Sequence, residues 1–596
     1  MDAIFKVEAL RGLMRENGWD IVILTGEDPH ASEYPAPRWK QVKWLSGFTG
    51  ETGDLVITQD HAGLWTDTRY FIQARQQLAG SGIELHKMRV PEQVPIPEWI
   101  ASLELSHPVI AVDGLCQSVA AMAELQAAVP SARIASVPDL LSALWTDRPA
   151  IPSTPVITLG EDLVGESRSA KIGRLRKWLV LQGADAVFLS SLDQIAWLLN
   201  VRGSDVAYNP VVISYLLVTL EDIFWFVRKD AFADPDTETL SSFEELALDG
   251  VSIRDYEEAE FALGSLQSSG VDRICLDFSS LSFAFRSSVD SSCELLPFPS
   301  PVPLWKAVKN SVEIDGMREA HLEDGLVMEQ FLYRLSCNAG FVDESEAASY
   351  LGSLRSRVSG YRGDSFETIS AYGPSAALPH YVTPVSGAPL LEARGFYLVD
   401  SGGQYLFGTT DLTRTVPLGP CSALEMEDYT LVLKGHIALA MAVFPRGTAG
   451  CQLDALAREP LWKALRNFGH GTGHGVGFFL NVHEGPQDLR QNFNPTPLEP
   501  GMILSDEPGL YREGLHGVRH ENLLLVRPAG DSEFGSFLEF ETLTLCHFDT
   551  SCLLPDLLTV EERDWLNAYN AHVCEVLSPR LPADVAAWLR DVTRPV

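Results

Sequence analysis

Apolar residues in the opening stretch MDAIFKVEALRGLMRENGWDIVILTG first recur at helical spacing and then run together. That pattern predicts an amphipathic helix followed by a buried strand. It lacks the charged-then-apolar order and the small-residue cleavage site of a secretion signal. DIVILTG, DLVITQ and HAGLWTD read as strands and RYFIQARQQLAG as a helix, so residues 1–150 are expected to form an α/β domain. The next segment, GESRSAKIGRLRKWLVLQGADAVFLSSLDQIAWLLNVRG, repeats the order helix, strand, helix. GADAVFLSS echoes GWDIVILTG and IAWLLN echoes VKWLSGF, which predicts a related second α/β domain over residues 151–305. TDRPAIPSTPVITLG (146–160) reads as a linker between the two, and the proline-dense PFPSPVPLW (297–305) ends the second.

From residue 306 to 596 the pattern changes. KAVKNSVEIDGMREAHLEDGLVMEQFLYRLSC has the i, i+3, i+4 spacing of a long helix. Short glycine-punctuated strand patterns follow: FETISAYGP, GFYLVDSGGQY, TRTVPLG, MILSDEPGLY and ENLLLVRP. The tail TVEERDWLNAYNAHVCEVLSPRLPADVAAWLRDV is helical again. The expectation is an α+β domain built on a curved antiparallel sheet, in a multidomain α/β and α+β chain. A length of 596 residues fits this, because it is too great for one core.

Charge narrows the partners. Eighty acids against 45 bases leave a net charge of −35. Nucleic acids and anionic membranes both select basic surfaces, so neither is expected as a partner. No window reaches the ~18 apolar residues of a membrane span. Nine cysteines, an odd number with no CxxC pair, support neither a disulfide framework nor a zinc knuckle. These features together predict a cytoplasmic protein.

Candidate chemistry centres on FGHGTGHGVGFFLNVHEGP (468–486), which holds three of the chain's 14 histidines, His470, His474 and His483. His470 and His474 have the i, i+4 spacing of two ligands on a helix, but the glycines argue against a helix there. Carboxylates elsewhere change the picture. Asp400 ends the apolar strand GFYLVD, and Asp411 follows SGGQYLFGTT, whose length and glycines suit a hairpin that returns to Asp400. Glu507 follows MILSD, and Glu521 begins ENLLLVRP. Singly, each acid reads as a turn, capping or surface residue. Together, four carboxylates and one imidazole are a donor set for two divalent cations such as Mn²⁺, Co²⁺, Fe²⁺ or Zn²⁺. Spacing alone does not make the five converge.

Motifs along nearly the whole chain carry a resemblance. They are WLSGFTGETG and LWTDTRYFIQA, then LDQIAWLLNVRGSDVAYNPVVISY, then KAVKNSVEIDGMREAH, LPHYVTP, LVDSGGQYLFGTTDLTRT, GHGTGHGVGFFLNVHEGP, EPGLY and VRHEN. In this order they resemble the three-domain form of the aminopeptidase P (Xaa-Pro aminopeptidase) family, within the creatinase/methionine-aminopeptidase superfamily. The resemblance implies two related creatinase N-terminal-like α/β domains followed by a C-terminal pita-bread catalytic domain. It implies metal ligands at Asp400, Asp411, His474, Glu507 and Glu521. Asp411 and Glu521 would bridge two ions, usually Mn²⁺ in this family; Asp400 would complete one ion, and His474 with Glu507 the other. His380, His470 and His483 match the family's substrate and transition-state histidines. Arg519 and Tyr511 match an arginine and a tyrosine beside the site, and Arg69 an arginine that reaches a neighbouring subunit's active site in some members. A homodimer is therefore expected.

Leu510, Phe478, His520 and Ala207 depart from the family's usual residues, and none of them removes a ligand. His520 alternates with Arg519 and Glu521, so it is expected to face away from the metals. The implied activity is hydrolysis of the bond between an N-terminal residue and a penultimate proline, by a hydroxide bridging two metals, with Glu507 moving the proton. Such a bond is a tertiary amide without an N–H, which general proteases handle poorly. The alternatives are a prolidase restricted to X-Pro dipeptides and a non-catalytic peptide-binding protein of the same fold. A dipeptide-against-tripeptide comparison separates the first, and metal content the second.

Overall fold

Two helices stop in the same way. Helix α1 (Ala3–Asn17) ends at Gly18 (φ 67°) and helix α2 (Arg168–Gln182) at Gly183 (φ 65°), both in the left-handed conformation that glycine adopts without strain. A strand follows each stop, β1 (Ile21–Leu24) in the first case. The computed structural model describes residues 2–232 and 237–596, and shows that the echo extends to whole sheets. Strands β2 (Asp54–Ile57), β3 (Ala62–Thr66), β4 (Glu84–Lys87), β5 (Val109–Val112) and β6 (Arg133–Ser136) join β1 in the order β4-β3-β2-β1-β5-β6. The second sheet contains β7 (Ala186–Leu189), β8 (Ser214–Thr219), β9 (Ile223–Val227), β10 (Val251–Arg254), β11 (Arg273–Leu276) and β12 (Glu294–Leu296), in the order β10-β9-β8-β7-β11-β12.

The pairing senses also match. The central strand of each sheet is antiparallel to one neighbour and parallel to the other. The aspartates of GWD and GAD do the same work in both. Asp20 accepts the N–H of Val109 at 2.7 Å and Asp185 that of Arg273 at 2.9 Å. Each thus fixes the first residue of the next parallel strand. The chain therefore carries two related α/β domains ahead of its last part. One difference from expectation is local: the end of the predicted linker forms a strand, Ile157–Thr158, paired with Val201–Arg202.

The described chain divides into two compact units. Met1–Glu161 with Glu166–Val302 makes the first, and Asp162–Gly165 with Pro303–Val596 the second. In the second unit the long helix is α3 (Ser311–Asn338), started by a capping box between Asn310 and Glu313, and α4 (Glu344–Arg355) packs beside it. The strands are all antiparallel, but they form several ladders in place of one sheet. β13 (Ile369–Tyr372), β14 (Phe396–Ser401) and β15 (Leu412–Pro417) pair in that order. β16 (Val443–Pro445), β19 (Ile503–Asp506), β22 (Asn522–Ser532) and β23 (Gly535–Thr542) pair as β16-β23-β22-β19. β17 (Gly473–His474) pairs β18 (Asp488–Leu489), and β20 (Gly509–Arg512) pairs β21 (His516–Arg519). The breaks fall at the candidate ligands: Asp411 precedes β15, Glu507 follows β19, and Glu521 separates β21 from β22. Helices α5 (Ala423–Ala440), α6 (Gly450–Lys463), α7 (Val560–Leu577) and α8 (Ala583–Val592) complete the unit. Leu433, Ile437, Leu566, Val573 and Leu589 pack into one of its apolar cores. Among the described residues no helix is long and apolar enough to cross a membrane.

Candidate metal centre

The β14–β15 register sets Ser401 opposite Leu412 and Asp400 opposite Thr413. The chain between them turns back through a short ladder, Gly403–Tyr405 against Gly408–Thr409, so Asp411 returns beside Asp400. The second pair of acids arrives through backbone bonds. The N–H of Glu507 donates to the Thr472 carbonyl at 2.8 Å and that of Glu521 to the Thr413 carbonyl at 3.1 Å. Glu521 Oε2 also accepts the Thr413 hydroxyl at 2.7 Å. His474 comes in on the glycine-rich stretch, where close backbone contact excludes side chains. A Cβ on Gly473 would stand 1.9 Å from the Ser505 carbonyl oxygen, and one on Gly475 2.0 Å from that of Glu484.

The resulting cluster is buried, and its four carboxylates outnumber the neighbouring cation Arg519. Asp411, His474 and Glu521 each place a donor atom within 4.8 Å of the others. His474 Nδ1 donates to the Gly475 carbonyl at 3.0 Å. Its Nε2 then carries a lone pair that faces Asp411 Oδ2 at 3.5 Å and Glu507 Oε1 at 3.4 Å. Asp400 Oδ1 is buried with no hydrogen-bond partner. Burial first, and then the neighbouring Asp400 and Glu507, lift the Asp411 carboxyl well above the usual range. Burial and the same crowding by acids do this to Glu521. Burial pushes Glu507 up to about 7 against the pull of Arg519. Burial and the nearby His483 hold His474 well below the ordinary imidazole value. Lone pairs facing lone pairs in buried space are costly unless a cation lies among them. A candidate metal-binding site is therefore present, and its oxygen-rich donors with one imidazole fit divalent cations.

Around it, Arg519 pairs with Asp400 Oδ2 and donates from Nη1 to the Tyr511 hydroxyl at 2.7 Å. The Tyr511 hydroxyl meets His470 Nε2 at 2.8 Å, while His470 Nδ1 meets the Gly471 carbonyl at 2.7 Å. Both His470 ring nitrogens are thus engaged. His483 stands edge-on to His474, ring centres 4.2 Å apart. His380 follows Pro379, whose carbonyl is 3.4 Å from Arg519 Nη2. Two departures from the family pattern point into the core. His520 packs edge-on against Tyr429 and Phe548, and Leu510 belongs to the same apolar cluster. Arg69 lies in the first unit, where Nε and Nη2 grip Asp67 at 3.0 and 2.8 Å.

Several positioning residues escaped the sequence reading. Lys306 and Lys309 bind Glu484 at 2.7 and 3.1 Å, which anchors the residue after His483. Ser505 Oγ accepts the His474 N–H at 3.0 Å and donates to Glu507 Oε1 at 3.3 Å. Both lysines lie in the KAVKNSVEIDGMREAH motif, but their i, i+3 spacing is common on solvated faces and does not point to Glu484.

Comparison with known proteins finds matches along nearly the whole chain. Residues 315–528 match metallopeptidase family M24 and residues 536–596 its C-terminal region. Residues 6–144 and 147–313 each match the creatinase/prolidase N-terminal domain. Aminopeptidase P1 of Arabidopsis thaliana is 37% identical, over 99% of both chains. A probable Xaa-Pro aminopeptidase P of Chaetomium globosum is 38% identical, again over 99% of both. Among solved structures, the X-prolyl aminopeptidase of Caenorhabditis elegans, described as a cytosolic enzyme with a di-nuclear active site, superposes with a TM-score of 0.93. It is 35% identical, with both chains fully covered. The Xaa-Pro dipeptidase of Bacillus anthracis shares the fold over 64% of this chain, with a TM-score of 0.51 and 24% identity.

Proposed function

The chain belongs to the aminopeptidase P family of M24 metallopeptidases, and we propose that it removes the N-terminal residue from peptides whose second residue is proline. The observation that carries this is the buried cluster of four carboxylates and one unprotonated imidazole nitrogen. In this proposal Asp400, Asp411, His474, Glu507 and Glu521 hold two divalent cations, Mn²⁺ in the cell. Bound there, such ions supply Lewis acidity and water of lowered pKa.

The chain's own groups do the rest. Glu507 takes a proton from the attacking water at a carboxylate oxygen and returns it to the leaving proline nitrogen. His483 and His380 donate to the oxyanion of the tetrahedral intermediate. Arg519 holds Asp400 on one side and Tyr511 on the other, and His470 acts through Tyr511 by fixing its hydroxyl. The substrate's free α-amine binds beside the acids. In the same proposal the protein is a cytoplasmic homodimer in which Arg69 reaches the partner's site; sedimentation as a monomer at assay concentration would remove that role.

Purified protein with Mn²⁺ is expected to release the first residue of X-Pro-Pro tripeptides. Glu507→Gln is expected to lose roughly 10²–10⁴-fold in kcat while its metal content stays measurable. Equal rates on peptides lacking proline at position two would defeat the specificity. Activity confined to X-Pro dipeptides would make the protein a prolidase.

A further inference from the structure

A second group of metal-binding side chains lies in the first unit. His61 occupies the turn before β3, and Glu84 and His86 lie on the edge strand β4. The two strands run parallel, with Gly63 beside Glu84 and Trp65 beside His86. Gly63 makes room for the imidazoles. A Cβ there would stand 2.7 Å from His61 Nε2 and 2.8 Å from His86 Cδ2. Trp65 stacks on His86 with ring centres 3.8 Å apart and planes within 6°, and Trp99 lies 4.8 Å from His61. Within this aromatic wall the two Nε2 atoms face each other at 3.2 Å. Glu84 Oε2 stands 3.8 Å from His61 Nδ1, and one donor atom from each of the three residues lies within 4.8 Å of the other two.

We propose that His61, His86 and Glu84 bind one divalent transition-metal ion, with Zn²⁺ the best fit, separately from the catalytic pair. Two nitrogens each bound at 2.0–2.1 Å to one tetrahedral ion stand about 3.3 Å apart, close to the separation present. Two imidazoles, one carboxylate and an open position for water form a zinc donor set, whereas Mn²⁺ favours oxygen. Asp60 and Glu84 add negative charge. The opposing Arg11 is itself paired with Glu8 at 2.6 Å. Bound metal would tie the edge strand β4 to the turn that starts β3.

The test uses the Mn²⁺-loaded protein, dialysed and then titrated with Zn²⁺ against a chromophoric chelator, with metal counted per chain. The parent is expected to take up one more Zn²⁺ than the His61→Asn/His86→Asn double variant, with equal aminopeptidase activity once both are reloaded with Mn²⁺. Glu84→Gln, at a side chain 69% exposed and therefore safe for folding, is expected to bind that extra Zn²⁺ at least about tenfold more weakly. Equal zinc uptake by the parent and a folded double variant would overturn the proposal, because the imidazoles would then be only a neutral N–H···N pair. If the double variant does not fold, Glu84→Gln decides: unchanged zinc affinity overturns the proposal.

Discussion

Asp324 and Asp411 are both almost wholly buried, and Thr410 links them, one neighbour in sequence and the other through its hydroxyl. Their surroundings differ. Asp324, on α3, accepts Arg355 Nε at 2.7 Å and Nη2 at 3.1 Å, the Tyr405 hydroxyl at 2.9 Å and the Thr410 hydroxyl at 2.9 Å. Every lone pair has a donor and the charge is matched. Asp411 faces Asp400, Glu507 and the bare Nε2 of His474. Burial raises both carboxyls; only in Asp324 do Arg355 and the hydroxyls reverse the shift to below the ordinary value. A balanced buried acid is scaffold, and an unbalanced one is a place for something the chain does not itself provide. Here the scaffold stands directly behind the site. Arg355 also binds Ser401, next to Asp400, so one ion pair sets the positions of both aspartates.

The largest effect should come from the unbalanced side. Asp411→Asn is expected to lose at least about a thousandfold in kcat/KM, the scale of removing a key electrostatic group from an active site. The same substitution should leave the metal-free protein as stable as its parent or more so, since it removes a charge that burial and neighbouring acids oppose. Steady-state kinetics and thermal melts in chelator check the two halves. A metal-free variant markedly less stable than the metal-free parent would erase the contrast.

Asp324→Asn should do the reverse. Breaking a buried pair leaves Arg355 uncompensated, which costs about 3–5 kcal/mol. Denaturant unfolding of the second unit's signal measures this, and the still-folded fraction should still fill with metal at saturating Mn²⁺, at lowered affinity because the pair that positions Asp400 and Asp411 is broken. The sign with pH follows from the lowered Asp324 carboxyl. Its stabilisation is present above the unfolded value of about 3.9 and is lost as pH falls through the lower folded value. The variant should lack that part of the parent's acid sensitivity.

These two aspartates were not equally legible in the sequence. Asp400, Asp411, Glu507 and Glu521 stand at or beside strand patterns, where each singly reads as a turn, capping or surface residue; the family resemblance is what joins them into a ligand set, while SGGQYLFGTT suits the hairpin that returns Asp411 to Asp400. The duplicated sheets were legible for a similar reason: a glycine stop, an aspartate and an apolar run recur as one local block. Asp324 is different. On a long helix with apolar residues at i, i+3, i+4 it reads as a solvated position, and Arg355 is 31 residues away. Lys309 and Glu484 are separated by 175 residues and are equally invisible to periodicity. Local pattern reveals where a backbone turns; charge balance depends on which distant turns meet. The division of the expected curved sheet into several ladders belongs to the second kind, because the strands break where the acids gather.

Thr413 lies between the two regimes and should give the smallest effect. Its hydroxyl donates to Glu521 Oε2 at 2.7 Å and accepts Arg519 Nε at 3.2 Å, and its carbonyl accepts the Glu521 N–H. It touches no candidate ion in this arrangement, yet it aims one ligand and one arginine. Thr413→Val keeps the shape and the backbone bond and removes only the hydroxyl. Metal affinity is then expected to fall about 10–100-fold, the usual cost of losing a ligand's supporting hydrogen bond. Activity at saturating Mn²⁺ should recover most of the way, because the ligands themselves remain. Competition with a metallochromic chelator, alongside kcat measured across a Mn²⁺ series, separates these outcomes. A kcat that stays depressed at saturating metal would place the Thr413 hydroxyl in the chemistry and not in the support of Glu521.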